Sequence, residues 1–283
     1  MVKKEKIELG DIQKTLLFPL WGRAFESKKS APLLVDNTAV NIIESIDYDF
    51  SKFAQELSSI SQLGWVVRSL LTDKIIKQFI TSHPKATIVN IGCGLDTTFE
   101  RVNNGLIRWY DLDLPDTIEL RKKFLKENER RRFISSSFLD SYWLNNLSID
   151  DNVLFVSAGV FYYFEEEQIK SFLKRIVQMF PGSEIIFDAA SPFGVKMANK
   201  MVLKKGGMDE RSFLKWGIKN AKDLESWDER IIVLSAKPFF KNIQTRVKLK
   251  SRIQLFFSDM TKIQYLIHLK IRNGVEQIIN VDR

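Results

Sequence analysis

The chain has 283 residues, 45% of them hydrophobic, with one cysteine, two histidines and a formal charge of +8. That size and apolar content exclude a disordered chain, the lone Cys93 excludes an intrachain disulfide framework and fits a reducing, cytoplasmic setting, and His83 and His268 offer no zinc-ligand spacing, so no metal site is expected. The excess of positive charge suits an anionic partner, because it raises the encounter rate with negative ligands.

Met1 to Gly10 carries lysines without an apolar run, and the longest nearly unbroken apolar stretch, Val153 to Phe164, is too short to cross a bilayer; neither an export signal nor a membrane span is expected. No repeat, low-complexity tract or Pro/Gly-rich linker divides the sequence, which predicts a single domain over 1–283. Within it we expect an N-terminal helical cap at 1–84, a core at 85–190, a helical insertion at 191–229 and C-terminal strands at 230–283 that complete the sheet.

In the cap, Val67, Leu71, Ile75 and Phe79 recur every four positions with Val66 and Leu70 beside them, as one face of an amphipathic helix requires. His83-Pro84 ends that helix, since the residue before proline is pushed out of helical geometry. The pattern then changes to short apolar runs, Thr87 to Ile91, Ile107 to Tyr110, Val153 to Val156 and Ile185 to Phe187, which read as strands buried on both faces of a parallel sheet. Between the last two, Ile169, Phe172, Leu173, Ile176, Val177 and Phe180 keep helical spacing, with Glu165, Glu166 and Glu167 at the N-terminal dipole and Pro181-Gly182 as the stop. Strand, helix, strand in this order implies right-handed crossovers and a doubly wound α/β fold.

From Ser191 to Trp227 the periodicity weakens. Met197, Met201, Met208, Phe213 and Trp216 lack a clean core period, and Gly206-Gly207 offers a hinge, so the segment is expected to act as a lid. Ile231 to Leu234 and Tyr265 to Ile271 supply the last strands, the latter alternating as an edge or antiparallel strand would. Two stretches hold much of the positive charge: Arg121 to Arg132 has seven basic residues against two acids, and Lys237 to Arg252 has six and none. They read as a docking surface for an anion or as solvated faces; without aromatic interleaving, nucleic-acid binding is not expected.

The most informative stretch is Asn90-Ile91-Gly92-Cys93-Gly94-Leu95-Asp96-Thr97 at the end of the first predicted strand. Gly-x-Gly lets the backbone turn sharply and approach a ligand, and in open α/β sheets such a loop lies where ligands bind. After the next strand comes Asp111-Leu112-Asp113, about twenty residues past Gly92, where an acid accepts hydrogen bonds from ribose hydroxyls. Asp113 is the better placed and Asp111 the alternative. The third glycine of a dinucleotide fingerprint is replaced by Thr97, so no pyrophosphate is expected there. Cys93 has no His or acid close in sequence to activate it and reads as a small loop residue.

Those motifs, together with Leu114-Pro115, Ala158-Gly159-Val160-Phe161-Tyr162-Tyr163-Phe164, Thr15 to Trp21, Ile46 to Phe50 and Ile267-His268-Leu269, resemble the leucine carboxyl methyltransferase family, and within it the bacterial polyketide-biosynthesis O-methyltransferases of the tetracenomycin type. The resemblance implies a class I, Rossmann-like methyltransferase with a mostly parallel seven-stranded sheet and S-adenosyl-L-methionine as cofactor. It implies roles residue by residue. Arg68, opening the helix before the first strand, would pair with the cofactor's carboxylate, with Lys28 assisting. Gly92 and Gly94 would face its methionine part, Asp113 or Asp111 its ribose, and Ser137 and Phe138 its adenine, while Gly159 and Tyr163 would border the reacting methyl group; Cys93 and Ala158 count among the cofactor-binding residues. Two positions depart from the family pattern: Thr98 stands where many members have arginine, and Ala158 where an acid often precedes the glycine.

No histidine lies near the expected pocket, which points to an acceptor oxygen that is already ionised, although Asp209, Glu210 and Asp223 of the insertion are acids it could use. The function expected is methylation of a small acidic or phenolic, polyketide-like metabolite by in-line transfer. A protein carboxyl methyltransferase, a basic RNA-binding or RNA-modifying protein and a catalytically silent cofactor-binding protein are the alternatives. Oligomeric state is not readable from the sequence.

Overall fold

The computed structural model describes residues 4–6, 11–51, 53, 58–200, 213–241, 243 and 249–273. Three helices come first: α1 (Asp11–Ser27), α2 (Asn37–Ser45) and α3 (Ser59–Ser82). The doubly wound region follows as β1 (Thr87–Ile91), α4 (Thr98–Val102), β2 (Arg108–Asp113), α5 (Pro115–Lys122), β3 (Arg131–Ser135), β4 (Val153–Ser157), α6 (Glu166–Met179) and β5 (Glu184–Ala189). Then come α7 (Pro192–Ala198), β6 (Ile231–Pro238), α8 (Leu249–Met260) and β7 (Tyr265–Ile271).

The seven strands form one sheet in the order β3-β2-β1-β4-β5-β7-β6, parallel except for β7, which runs antiparallel to both neighbours. β1 pairs with β2 on one side and β4 on the other, so successive crossovers leave β1 in opposite directions and open a crevice at the carboxyl ends of β1 and β4. All residues of β1 and β4 are buried, as their continuous apolar runs require. One face of the sheet packs on α6 through Ile169, Phe172, Leu173, Ile176 and Val177. The other packs on α3 and α8 through Val67, Ile75, Ile76, Phe79 and Leu255.

Three details differ from the sequence reading. α3 begins at Ser59, capped by the Ser58 hydroxyl, so Arg68 lies in mid-helix; buried residues wrap most of α3, which blurs the period that a one-faced helix would show. β7 is antiparallel as expected but interior, and the edge is β6. β3, which starts on the last two arginines of the basic run, was hidden by their charge; Arg131 and Arg121 of that run are buried, not solvated. Of the expected insertion, Met201, Gly206-Gly207, Met208, Asp209 and Glu210 lie outside the described residues. Among the described residues no helix is long and apolar enough to cross a membrane, and no cluster of potential metal ligands forms.

Candidate functional site

A cavity of about 1300 Å³ opens at the crevice between β1 and β4. One wall is the loop after β1, with Gly92, Cys93, Gly94 and Asp96; others are Asp113 after β2, Ser136, Ser137 and Phe138 after β3, and Ala158, Gly159 and Val160 after β4. α1 covers one side with Thr15, Leu16 and Arg23, and α3 contributes Trp65 and Arg68.

The loop has left-handed backbone at Gly92 (φ 64°) and Gly94 (φ 45°). A Cβ on Gly92 would lie 2.3 Å from Val160 Cγ2, and one on Gly94 2.9 Å from Leu16 Cδ2, so conformation and space both select glycine. The turn is pinned from β2: the amides of Gly92 and Cys93 donate to Leu112 O (2.8 and 3.1 Å), and that of Gly94 donates to Asp113 Oδ2 (2.7 Å). Asp113 also accepts from the Leu114 amide (2.8 Å), and burial raises its carboxyl above the ordinary carboxylate range. Cys93 is buried and its thiol is pushed well up, which keeps it protonated and fits a packing role.

Asp111 is set apart from the cavity. Its fully buried carboxylate accepts from Trp109 Nε1 (2.9 Å), Asn90 Nδ2 (3.1 Å) and Arg131 Nε (2.8 Å) and pairs with Arg121 Nη2 (3.0 Å). Those four donors saturate it, whereas Asp113, two residues on at the end of the strand, accepts from two loop amides. Arg121 carries the network on by donating to Gly94 O (2.8 Å), so the pair supports the loop from below. Lys28 is also apart: it pairs with Glu44 at 2.7 Å on the half-exposed outer face of the N-terminal helices.

Arg68 is buried in the cavity wall, where its Nη1 donates to Asp188 Oδ2 (3.1 Å) and to the Tyr162 hydroxyl (3.1 Å). Burial would lower its pKa, but the Asp188 carboxylate outweighs that and raises it. Asp188 Oδ1 accepts the Gly159 amide (2.5 Å), and Gly159, at φ 85°, has no room for a Cβ, which would lie 2.6 Å from Arg68 Nη1. Asp188 was missed in the sequence; an acid closing the apolar run of β5 was the available signal. Tyr162 and Tyr163 line the cavity as phenols, their pKa values raised by burial. Phe138 reaches the cavity but is mostly core, packed on Phe161, Phe164 and Phe172.

Beyond these groups the cavity is walled by Trp65, Phe193, Met197, Phe240, Phe257 and Ile263, with Gln254 and Gln264 as amides. Neither histidine is there: His83 bonds Asn152, and His268, on β7, bonds Glu184 at 2.8 Å.

The family model for leucine carboxyl methyltransferases matches residues 17–177, a span that contains the glycine loop, Asp113 and Gly159. The tetracenomycin polyketide synthesis O-methyltransferase TcmP of Streptomyces glaucescens is 31% identical over 224 residues, covering 78% of this chain and 81% of that protein. The S-adenosyl-L-methionine-dependent methyltransferase dpfgK of Gibberella zeae is 28% identical over 256 residues, covering 82% and 85%. In fold, the crystal structure of the plantazolicin methyltransferase BamL superposes with a TM-score of 0.52 at 11% identity, covering 93% of this chain and 98% of that one. Strand order, switch-point cavity and family match agree: the chain is a class I, Rossmann-like methyltransferase and belongs to the leucine carboxyl methyltransferase family.

Proposed function

We propose that this cavity methylates an oxygen of a small acidic or phenolic, polyketide-like metabolite. The methyl donor is S-adenosyl-L-methionine, which supplies when bound an electrophilic methyl group on a sulfonium centre. The residues present fit that donor: two left-handed glycines leave the loop without side chains, Asp113 keeps acceptor capacity beyond its two amide bonds, and Ser136 and Ser137 add hydroxyls at the carboxyl end of β3. Gly92, Cys93 and Gly94 would hold its methionine part with Arg68, Asp113 its ribose, and Ser137 and Phe138 its adenine; Ala158, Gly159 and Tyr163 would border the methyl group. The saturated carboxylate of Asp111 supports the loop instead of binding, and Lys28 takes no part.

The observation that carries the acceptor reading is the character of the remaining cavity. It is broad, aromatic and aliphatic, with amides as anchors, and both of the chain's histidines are engaged elsewhere. With no imidazole to remove a proton, the reaction favours an oxygen already ionised, as in a carboxylate or an acidic phenol. What the protein contributes is alignment of donor and acceptor. TcmP, named for an O-methylation in polyketide synthesis, supports the same acceptor class. The test is competition: labelled donor is offered with a mixture of small aromatic acids and phenols, a leucine-ended peptide and bulk RNA. Label is expected in the small molecules; label confined to peptide or RNA overturns the acceptor reading while leaving the cofactor in place.

A further inference from the structure

Where the glycine loop runs into α4, four charged side chains from four elements meet: Arg23 of α1, Asp36 at the N-cap of α2, Asp73 of α3 and Arg101 of α4. Their side chains retain only 1–8% of their exposure. Arg101 grips Asp73 with Nε (2.7 Å) and Nη2 (2.9 Å) and reaches Asp36 with Nη1 (2.7 Å). Arg23 Nε donates to Asp36 as well (2.9 Å).

The charges balance, and each contact to the loop falls on a residue that joins the glycine turn to α4. Arg23 Nη2 donates to Leu95 O (3.2 Å). The Thr97 hydroxyl donates to Asp36 Oδ2 (2.5 Å) and accepts from Arg101 Nη1 (2.9 Å). The Thr98 hydroxyl accepts from Arg101 Nη2 (2.8 Å) and donates to Asp96 Oδ1 (3.0 Å). Asp96 itself lines the cavity.

Stability alone does not account for this arrangement, because apolar side chains of similar volume commonly serve a core as well as a buried ion cluster. Ion pairs and forked hydrogen bonds do what apolar packing cannot: they fix direction as well as distance. We propose that Arg101, together with Arg23, Asp36 and Asp73, is a positioning cluster that acts through Thr97 and Thr98 to set the loop from Gly92 to Asp96 for the cofactor. Cofactor affinity then depends on how α1 and α2 dock. The proposal rests on the reading of that loop as the cofactor site.

Thr97→Val tests it with little change of shape, since it removes the hydroxyl link and leaves the four charges paired. Asp36→Asn is the second variant: the amide oxygen still caps the Ala39 amide, but the charge facing both arginines is gone. Gly94→Val serves as the reference for the loop. S-adenosylhomocysteine is titrated into each full-length protein by calorimetry, and melting temperatures are recorded beside it. Both cluster variants are expected to weaken binding about tenfold, the worth of a charge-assisted hydrogen bond or two, with fold retained. Arg101→Lys, which keeps charge but loses the fork, is expected to recover only part of what Arg101→Met loses. If Thr97→Val and Asp36→Asn bind as the parent does while Gly94→Val does not, the cluster is merely structural and the proposal fails. If Gly94→Val also binds normally, the loop reading has failed instead.

Discussion

Arg68 and Asp188, 120 residues apart in the chain, form a buried ion pair at 3.1 Å, and the same carboxylate takes the amide of Gly159 on its other oxygen. One acid at the end of β5 thereby holds both a helix side chain and the turn after β4. Asp188→Ala strands a buried guanidinium and is expected to cost about 3–5 kcal/mol of stability, readable from urea midpoints. Asp188→Asn, which can keep one of the bonds, is expected to cost less and to weaken S-adenosylhomocysteine binding about tenfold. Parent-like binding in a folded Asp188→Asn protein would detach this pair from the cofactor site.

Gly159 belongs to the same unit. A methyl group there would meet the Arg68 guanidinium at 2.6 Å on a left-handed backbone, so Gly159→Ala displaces what Asp188 holds. The two changes share one target, and a double-mutant cycle with Asp188→Asn is expected to be non-additive by 0.5 kcal/mol or more, of the order seen for residues in contact. Additive losses would mean that the two residues act on separate features.

The acids of β2 separate by experiment. Asp113→Ala is expected to weaken S-adenosylhomocysteine binding by roughly 1–3 kcal/mol with modest change in stability. Asp111→Ala should do the reverse, since it leaves Arg121 and Arg131 without their shared carboxylate; a stability loss of about 3–5 kcal/mol is expected. Burial raises Asp113, so on acidification it protonates before an ordinary carboxylate and loses its charge. Binding should therefore begin to weaken above the usual carboxylate range in the parent and not in Asp113→Asn. Identical pH profiles for the two would remove Asp113 from the site.

What was legible in the sequence had a local cause. β1 and the turn after it could be read because a fully buried strand is a continuous apolar run and because left-handed backbone selects glycine. α6 was visible because it buries one face only. β3 was not, because the first of its two arginines, Arg131, serves both Asp111 and Glu100 inside the protein, and buried charge looks like surface charge until its partner is known. Asp188, Asp36, Asp73 and Arg101 escaped for a related reason: each is defined by a partner tens of residues away. Spacing favoured Asp113 over Asp111 without excluding the latter, and the saturated hydrogen bonding of Asp111 supports the same preference.

Asp96 gives the acid limb of stability a definite sign. Burial alone would raise its pKa, but Arg23 and Arg101 pull it to about 2, while in an unfolded chain it would titrate near 3.9. A depressed carboxylate contributes stability that is present above its unfolded pKa and is lost as pH falls through its folded one, here between about 4 and 2. A shift of that size corresponds to roughly 2–3 kcal/mol at neutral pH. Asp73 and Asp113 work in the opposite direction, because their raised pKa values favour the folded state once they are protonated. The parent's stability should thus fall less steeply on acidification than Asp96 alone would dictate. Asp96→Asn isolates its share: the deficit relative to the parent is expected to be about 2–3 kcal/mol near neutral pH and to shrink steadily below about pH 4. Urea midpoints measured at several pH values check it, and a deficit that stays constant down to the acid limit would show that Asp96 stabilises the loop through shape and hydrogen bonds, with its charge contributing nothing.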